Sequence, residues 1–148
     1  MDFPVKHDDI VRLNKLYHII LQNNLNAELH YPKELKNLTT IDISVVNTAA
    51  TNPSIIMREL AEHLKIPNST LTSSINRLEE KGIVKRAIST RDRRSFSLEL
   101  TEKGYKIQQK HLDFETAYFE SILTRLDTHE ERQTFLGLIE KIVKSENK

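Results

Sequence analysis

The spacing of apolar residues changes period at Gly82, and no other feature of the chain constrains its fold as strongly. Ahead of it, Leu71, Ile75 and Leu78 recur at four- and three-residue steps, the period of one helix face. Beyond it, Val84 to Ile88 and Ser95 to Leu100 read with a period of two, as a pair of strands. Gly82 ends the helix because glycine adopts a positive φ at little cost. The connection between the strands, Ser89 to Arg94, carries Arg91, Arg93 and Arg94, so the hairpin has a basic tip.

Upstream, a short helix from Met57 carries Leu60, Ala61 and Leu64, and Lys65, Ile66 and Pro67 form a turn. Pro67 suits the first position of the next helix, where its missing N–H would have had no intrahelical partner. Two helices joined by a tight turn and followed by a basic hairpin predict a winged helix-turn-helix. The second helix, running to about Lys81, has an unusual outer face of Ser69, Thr72, Ser73 and Asn76. Solvated helix faces favour Glu, Lys and Gln, whereas these residues are poor helix formers. Small polar side chains admit a partner surface closely and hydrogen-bond to it, which suits the reading of base edges; Asn76 offers both a donor and an acceptor to an adenine.

Long helices flank this segment. From about 8 to 31, Ile10, Leu13, Leu16, Tyr17, Ile20, Leu21, Leu25 and Leu29 form an apolar stripe that Pro32 interrupts. Thr39 with Asp42 predicts a capping box, followed by inward Ile41, Val45, Val46 and Ala49 and a turn at Asn52, Pro53 and Ser54. Thr101 caps a helix from Glu102 to about Leu126 that carries Ile107, Leu112, Phe114, Tyr118, Phe119 and Ile122. Thr128 with Glu131 starts a last helix, 129–145, with Phe135, Leu138, Ile139, Ile142 and Val143. The expected fold is mainly α with a small β hairpin, in a single domain over residues 1–148. Its winged helix-turn-helix lobe spans 38–100, between terminal helices at 8–31 and 102–145. So small a lobe cannot cover three apolar stripes, so the terminal helices are expected to dimerise with a second copy.

The net charge of +1 does not by itself announce a nucleic-acid binder. Its distribution does more: Lys81, Lys85, Arg86, Arg91, Arg93 and Arg94 face a single acid, Asp92, between Lys81 and Arg94. The absence of cysteine excludes disulfides, thiolate zinc sites and thiol oxidation as a sensor. His7, His18, His30, His63, His111 and His129 form no ligand motif; a zinc site would have to gather in space from such groups as His18, His111 and Glu115, and no metal or cofactor is expected. No nucleophile and base pair, phosphate loop or metal motif points to an enzyme. The stretch from Met1 to Asp9 lacks an apolar run of signal-peptide length, and no later segment approaches a membrane span, so the expected location is cytoplasmic.

In the order of its elements, and in Leu38 and Thr39, Leu60 and Ala61, Leu78 to Gly82, Asp92, Arg94, Leu100, Thr101 and Gly104, the chain resembles the MarR family of bacterial transcription regulators. The sharpest segment runs from Leu-Glu-Glu-Lys-Gly through Asp-Arg-Arg to Leu-Thr-Glu-Lys-Gly. The resemblance implies a DNA-binding regulator, a repressor on an inverted-repeat operator, acting as a homodimer on double-stranded DNA. It puts Asn68, Ser69, Thr72, Ser73, Asn76 and Arg77 at the major groove and Arg94 at the minor groove or its backbone. Asp92 holds the wing, while Arg91 and Arg93 add phosphate contacts. It also implies a small organic or lipid-derived effector between the terminal helices and the DNA-binding lobe, with a non-thiol mode of release. Met57 and Pro67 depart from the family pattern, standing where members often have a small polar helix cap. The competing reading is a winged-helix protein-interaction module without DNA binding, against which the wing arginines and the polar helix face argue.

Overall fold

The structure, a computed structural model, describes residues 4–27 and 31–145. The chain divides into two compact units, Met1–Asn37 and Leu38–Lys148. The first holds helix α1 (His7–Ala27) and a 3-10 turn at Lys33–Leu35. Ile10, Leu13, Leu16, Tyr17, Ile20 and Leu21 of α1 are all exposed. The expected helix reached residue 31, but Tyr31 lies in a bend; a residue before proline is driven away from helical backbone, and Pro32 follows. The side chains of Leu25, Leu29 and His30 lie outside the described residues.

The second unit runs α2 (Thr40–Thr51), α3 (Met57–Leu64), α4 (Asn68–Glu80), β1 (Val84–Ile88), β2 (Phe96–Leu100), α5 (Glu102–Leu123) and α6 (His129–Ser145). This is the winged helix-turn-helix, mainly α with one antiparallel hairpin. Its core gathers Val45, Val46 and Ala49 of α2, Leu60 and Ala61 of α3, and Leu71, Ile75 and Leu78 of α4. Ile83, Val84, Leu98 and Leu100 close it from the hairpin side. The helix starts follow from local chemistry. Thr39 and Asp42 exchange hydrogen bonds in a full capping box, and Thr101 Oγ1 accepts from the Gly104 N–H at 3.1 Å. Thr128 and Glu131 form the same reciprocal pair at the start of α6.

α3 and α4 begin differently, on Ile56 and Pro67, neither of which supplies a side-chain cap. Pro67 is therefore the residue before the helix instead of its first residue, and α4 starts at Asn68. At α3, Glu59 compensates by accepting from the Ile56 N–H at 3.2 Å. The turn between these helices bends through Lys65, whose φ of 53° is left-handed although it is not glycine. Gly82, with φ 68°, ends α4 as expected.

The glycine turn that ends α4 is tied to the first turn of α5, which carries Gly104. Thr101 Oγ1 donates to the Gly82 carbonyl at 2.6 Å, and a Cβ on Gly104 would lie 2.2 Å from the Ile83 carbonyl oxygen. The start of α5 thus approaches the α4–β1 turn so closely that only glycine fits.

β1 and β2 pair from Val84 with Leu100 out to Ile88 with Phe96. β2 starts at Phe96, one residue later than expected, and its alternation breaks down towards the tip. Phe96 is exposed whereas Ser97 is buried, because the outer end of the hairpin extends past the core while Ser97 lies beside Ile56 in a short backbone bridge. α5 also stops earlier than expected, at Leu123. There the Arg132 guanidinium donates to the carbonyls of Leu123 at 3.0 Å and Leu126 at 2.8 Å, satisfying acceptors that a longer helix would have used.

Candidate nucleic-acid interface

α4 is anchored by one face and offers the other. Leu71, Ser74, Ile75 and Leu78 are buried, while Asn68, Ser69, Thr72, Ser73 and Asn76 are exposed. The exposed set is the small polar group that poor helix propensity singled out. The Ser73 hydroxyl donates to the Ser69 carbonyl at 3.0 Å, so it is partly engaged within the helix.

The anchor is polar as well as apolar. Asp42, almost wholly buried, caps α2 and reaches across to α4, where its Oδ1 accepts from Ser74 Oγ at 2.6 Å and from the Arg77 guanidinium at 2.8 Å. Burial raises the carboxyl pKa, but hydrogen bonds from Ser74, Arg77 and both the backbone and hydroxyl of Thr39 outweigh it and hold Asp42 below its ordinary value. Arg77, expected at the groove, thus has one amino group committed to Asp42 and a side chain that stays 44% exposed.

A second set of ion pairs fixes the wing. Arg86 of β1 pairs with Glu79 of α4 and also donates to Asn76 Oδ1 at 2.9 Å. Arg91 pairs with Glu59 of α3. That pairing, chiefly the hydrogen bond from Arg91, holds the Glu59 carboxyl below its usual range. The wing turn is closed by Asp92, which accepts from Ser95 Oγ at 2.7 Å and from the Arg94 N–H at 3.0 Å. The Ser95 hydroxyl is the main reason that the Asp92 carboxyl is also depressed. The buried Ser89 accepts from the N–H groups of Arg91 and Asp92, so the turn satisfies its own backbone. Arg93 and Arg94 are exposed, and no hydrogen bond or ion pair engages either side chain among the described residues.

Sequence reasoning therefore found the exposed face and the basic tip but missed the pairings that hold them, which join Asp42 to Ser74 and Arg77, Glu59 to Arg91, and Glu79 to Arg86. Two of these residues carried a signal. Asp42 shares the inward stripe of Val45, Val46 and Ala49, and Ser74 shares that of Leu71, Ile75 and Leu78, each at helical spacing.

Elsewhere, an open recess of about 630 Å³ lies between α5 and α6, lined mainly by Leu112, Phe119, Leu123 and Arg132. His111 Nε2 lies 3.2 Å from Glu115 Oε1. Among the described residues no group of three His, Asp or Glu gathers as a metal site would require, and no helix is long and apolar enough to cross a membrane.

Residues 34–96, the span of the anchor, the exposed α4 face and the wing, match the MarR family model. The chain is 28% identical over 130 residues to the transcriptional regulator HosA of Escherichia coli O127:H6, covering 88% of this chain and 96% of HosA. Among solved structures it is similar to Streptococcus pneumoniae FabT in complex with DNA, with a TM-score of 0.77 and 27% identity over 94% of this chain and 99% of that one. It is also similar to a crystal structure of MarR, with a TM-score of 0.65 and 28% identity over 90% and 96% of the two chains.

Proposed function

We propose that this chain, which matches the MarR family model over residues 34–96, is a transcription regulator of that family and represses transcription as a homodimer bound to an inverted-repeat operator, from which a non-thiol effector releases it. It is a regulator and not an enzyme. The observation that carries the reading is the division of roles at the lobe surface. Every basic wing residue nearer the core is tied down, Arg86 to Glu79 and Arg91 to Glu59, while Arg93 and Arg94 at the tip have free guanidinium groups. An internal ion-pair lattice that leaves its outermost arginines unspent suits an anionic partner, and the neutral, small polar face of α4 beside it suits base edges.

In this reading Asn68, Ser69, Thr72, Ser73, Asn76 and Arg77 enter the major groove. Arg94 reaches the minor groove or its backbone, Arg91 and Arg93 contact phosphates, and Asp92 supports the turn that presents them. α1, α5 and α6 supply the dimer interface, their exposed apolar residues being the surface that a second copy covers. Two copies of α4 then occupy major grooves about one helical turn apart, which makes the site an inverted repeat. Release is conformational: an effector that binds better to dimers with badly spaced α4 helices shifts them away from DNA, and equal affinity for both forms shifts nothing. With no cysteine in the chain, that effector acts by binding instead of by thiol oxidation. A small organic or lipid-derived molecule is the expected class.

Selection from random double-stranded DNA at fixed ionic strength tests the reading. Recovery of a single inverted repeat supports it. A folded protein that enriches no sequence refutes it and leaves a winged-helix protein-interaction module in its place.

A further inference from the structure

We propose that Arg86 sets the base preference of Asn76 by turning its amide so that only the donor edge is free. The proposal rests on the DNA-binding reading above and adds to it a specificity-determining residue outside the α4 face.

Glu79 holds Arg86 at both ends: the Arg86 backbone N–H donates to Glu79 Oε1 at 3.0 Å, and the guanidinium pairs with Glu79 Oε2. From that fixed position the other guanidinium nitrogen donates to Asn76 Oδ1 at 2.9 Å. A guanidinium has donors and no acceptor, so the amide atom that faces it must be the oxygen. The orientation of the Asn76 amide, ambiguous in most surface asparagines, is therefore settled by its neighbour's chemistry. Nδ2 is left as the free polar atom of an exposed residue, with no partner among the described residues.

This changes what Asn76 reads. A bidentate adenine contact needs oxygen and nitrogen laid together along one base edge, the oxygen accepting from N6 and the nitrogen donating to N7. An amide whose oxygen is held against β1 cannot turn to present both. It presents N–H donors alone, which match guanine, where N7 and O6 are both acceptors, better than adenine, where N6 is a donor. Arg86 thus acts as a positioning residue: it does not select the base itself, but it removes the acceptor that would have favoured adenine.

The test is selection of the full-length protein on random double-stranded DNA at fixed ionic strength, comparing wild type with Asn76→Asp, Arg86→Met and Arg86→Lys. Wild type is expected to prefer guanine to adenine at one symmetry-related pair of positions by roughly three- to tenfold, the discrimination of a single neutral hydrogen bond. Asn76→Asp keeps an oxygen toward Arg86 but has no N–H, and it loses that preference at those positions alone. Arg86→Met frees the amide and moves the preference toward adenine, while Arg86→Lys, again a pure donor, restores guanine. Should Arg86→Met fail to fold, Asn76→Asp, whose link to Arg86 is retained, decides the matter. Adenine selected by wild type, or a guanine preference that survives Asn76→Asp or Arg86→Met, overturns the proposal while leaving the DNA-binding reading intact. Enrichment of no motif by wild type overturns both.

Discussion

Ser74 of α4 donates a 2.6 Å hydrogen bond to Asp42 of α2, and the bond is buried at both ends. Through it the residue that caps one helix also sets the pose of another. Arg77 joins from the solvent side, so Asp42 accepts from two residues of α4 while its second oxygen serves the Thr39 N–H. The α4 face is thus presented from a polar anchor set among Val45, Ile75 and Leu78, and a rotation of α4 about its axis would leave a buried carboxylate without partners, at high cost.

Replacing Asp42 with Asn should therefore destabilise the protein by about 1.5–3 kcal/mol at neutral pH, the range for hydrogen bonds to a charged group. The pH dependence has a definite sign. The folded-state pKa of Asp42 lies below its unfolded value, so its contribution is fully present above the ordinary aspartate range and is lost as the pH falls through the lower folded value. Urea unfolding of wild type and Asp42→Asn at neutral pH and at a series of acidic pH values checks this. The gap between them should narrow only below about pH 4, and a gap that widens on acidification contradicts the assignment.

Gly104→Ala tests the close approach of α5 to the α4–β1 turn. The added methyl would meet the Ile83 carbonyl oxygen at 2.2 Å, and that oxygen is also held by the Thr101 hydroxyl and N–H. Neither side can yield without moving backbone, so a loss of about 1–3 kcal/mol is expected, typical of overpacking. Gly137→Ala is the control, because nothing lies within 4 Å of a Cβ there. Thermal melts that show equal effects at the two sites would remove the steric argument.

These residues show what was legible in the sequence and what was not. Gly82, Thr39 with Asp42, Thr101, and Thr128 with Glu131 act within a turn of chain, and each marks its helix boundary where expected. The alternation that misplaced Phe96 failed because periodicity reports a preference for burial and not whether a surface is there to provide it. At the candidate interface, the residue types facing outward were readable from helix propensity. The ion pairs Arg86–Glu79 and Arg91–Glu59 were not, since each joins elements whose approach depends on the tertiary fold.

The two ion-paired and free arginine classes should separate on DNA. Arg94→Ala is expected to weaken operator binding by roughly tenfold and to flatten the dependence of log affinity on log salt by about 0.9, the value for one lost phosphate contact. Circular dichroism should be unchanged, since Arg94 uses only its backbone N–H within the fold. Glu59→Gln, by contrast, weakens the link between Arg91 and α3 without removing a positive charge. Its salt dependence should match wild type, with any loss of affinity arising from a looser wing. An Arg94→Ala protein with wild-type affinity and salt slope would take Arg94 out of the interface.

The dimer is the premise on which the inverted repeat depends, and α6 offers the most direct test of it. Phe135, Leu138, Ile139 and Val143 recur at three- and four-residue steps along α6, and all are exposed, Leu138 at 58%. Scattered apolar residues on a surface need no explanation, but a contiguous helical stripe of them does. A second copy packed on that stripe by one symmetric contact is the proposed cover for α6. Leu138→Glu with Val143→Glu places two carboxylates in that stripe, where burial without a partner is costly. Sedimentation at micromolar concentration should find wild type as a dimer and the double variant as a monomer. Because a subunit stabilised by its partner melts at a temperature that rises with concentration, the wild-type melting temperature should climb as the protein concentration is raised, while that of the variant stays flat. The variant should also bind single half-sites more weakly than wild type binds the full repeat, its α4 and wing unaltered. A double variant that remains dimeric, with a melting temperature as concentration-dependent as wild type, would exclude this face of α6 from the interface.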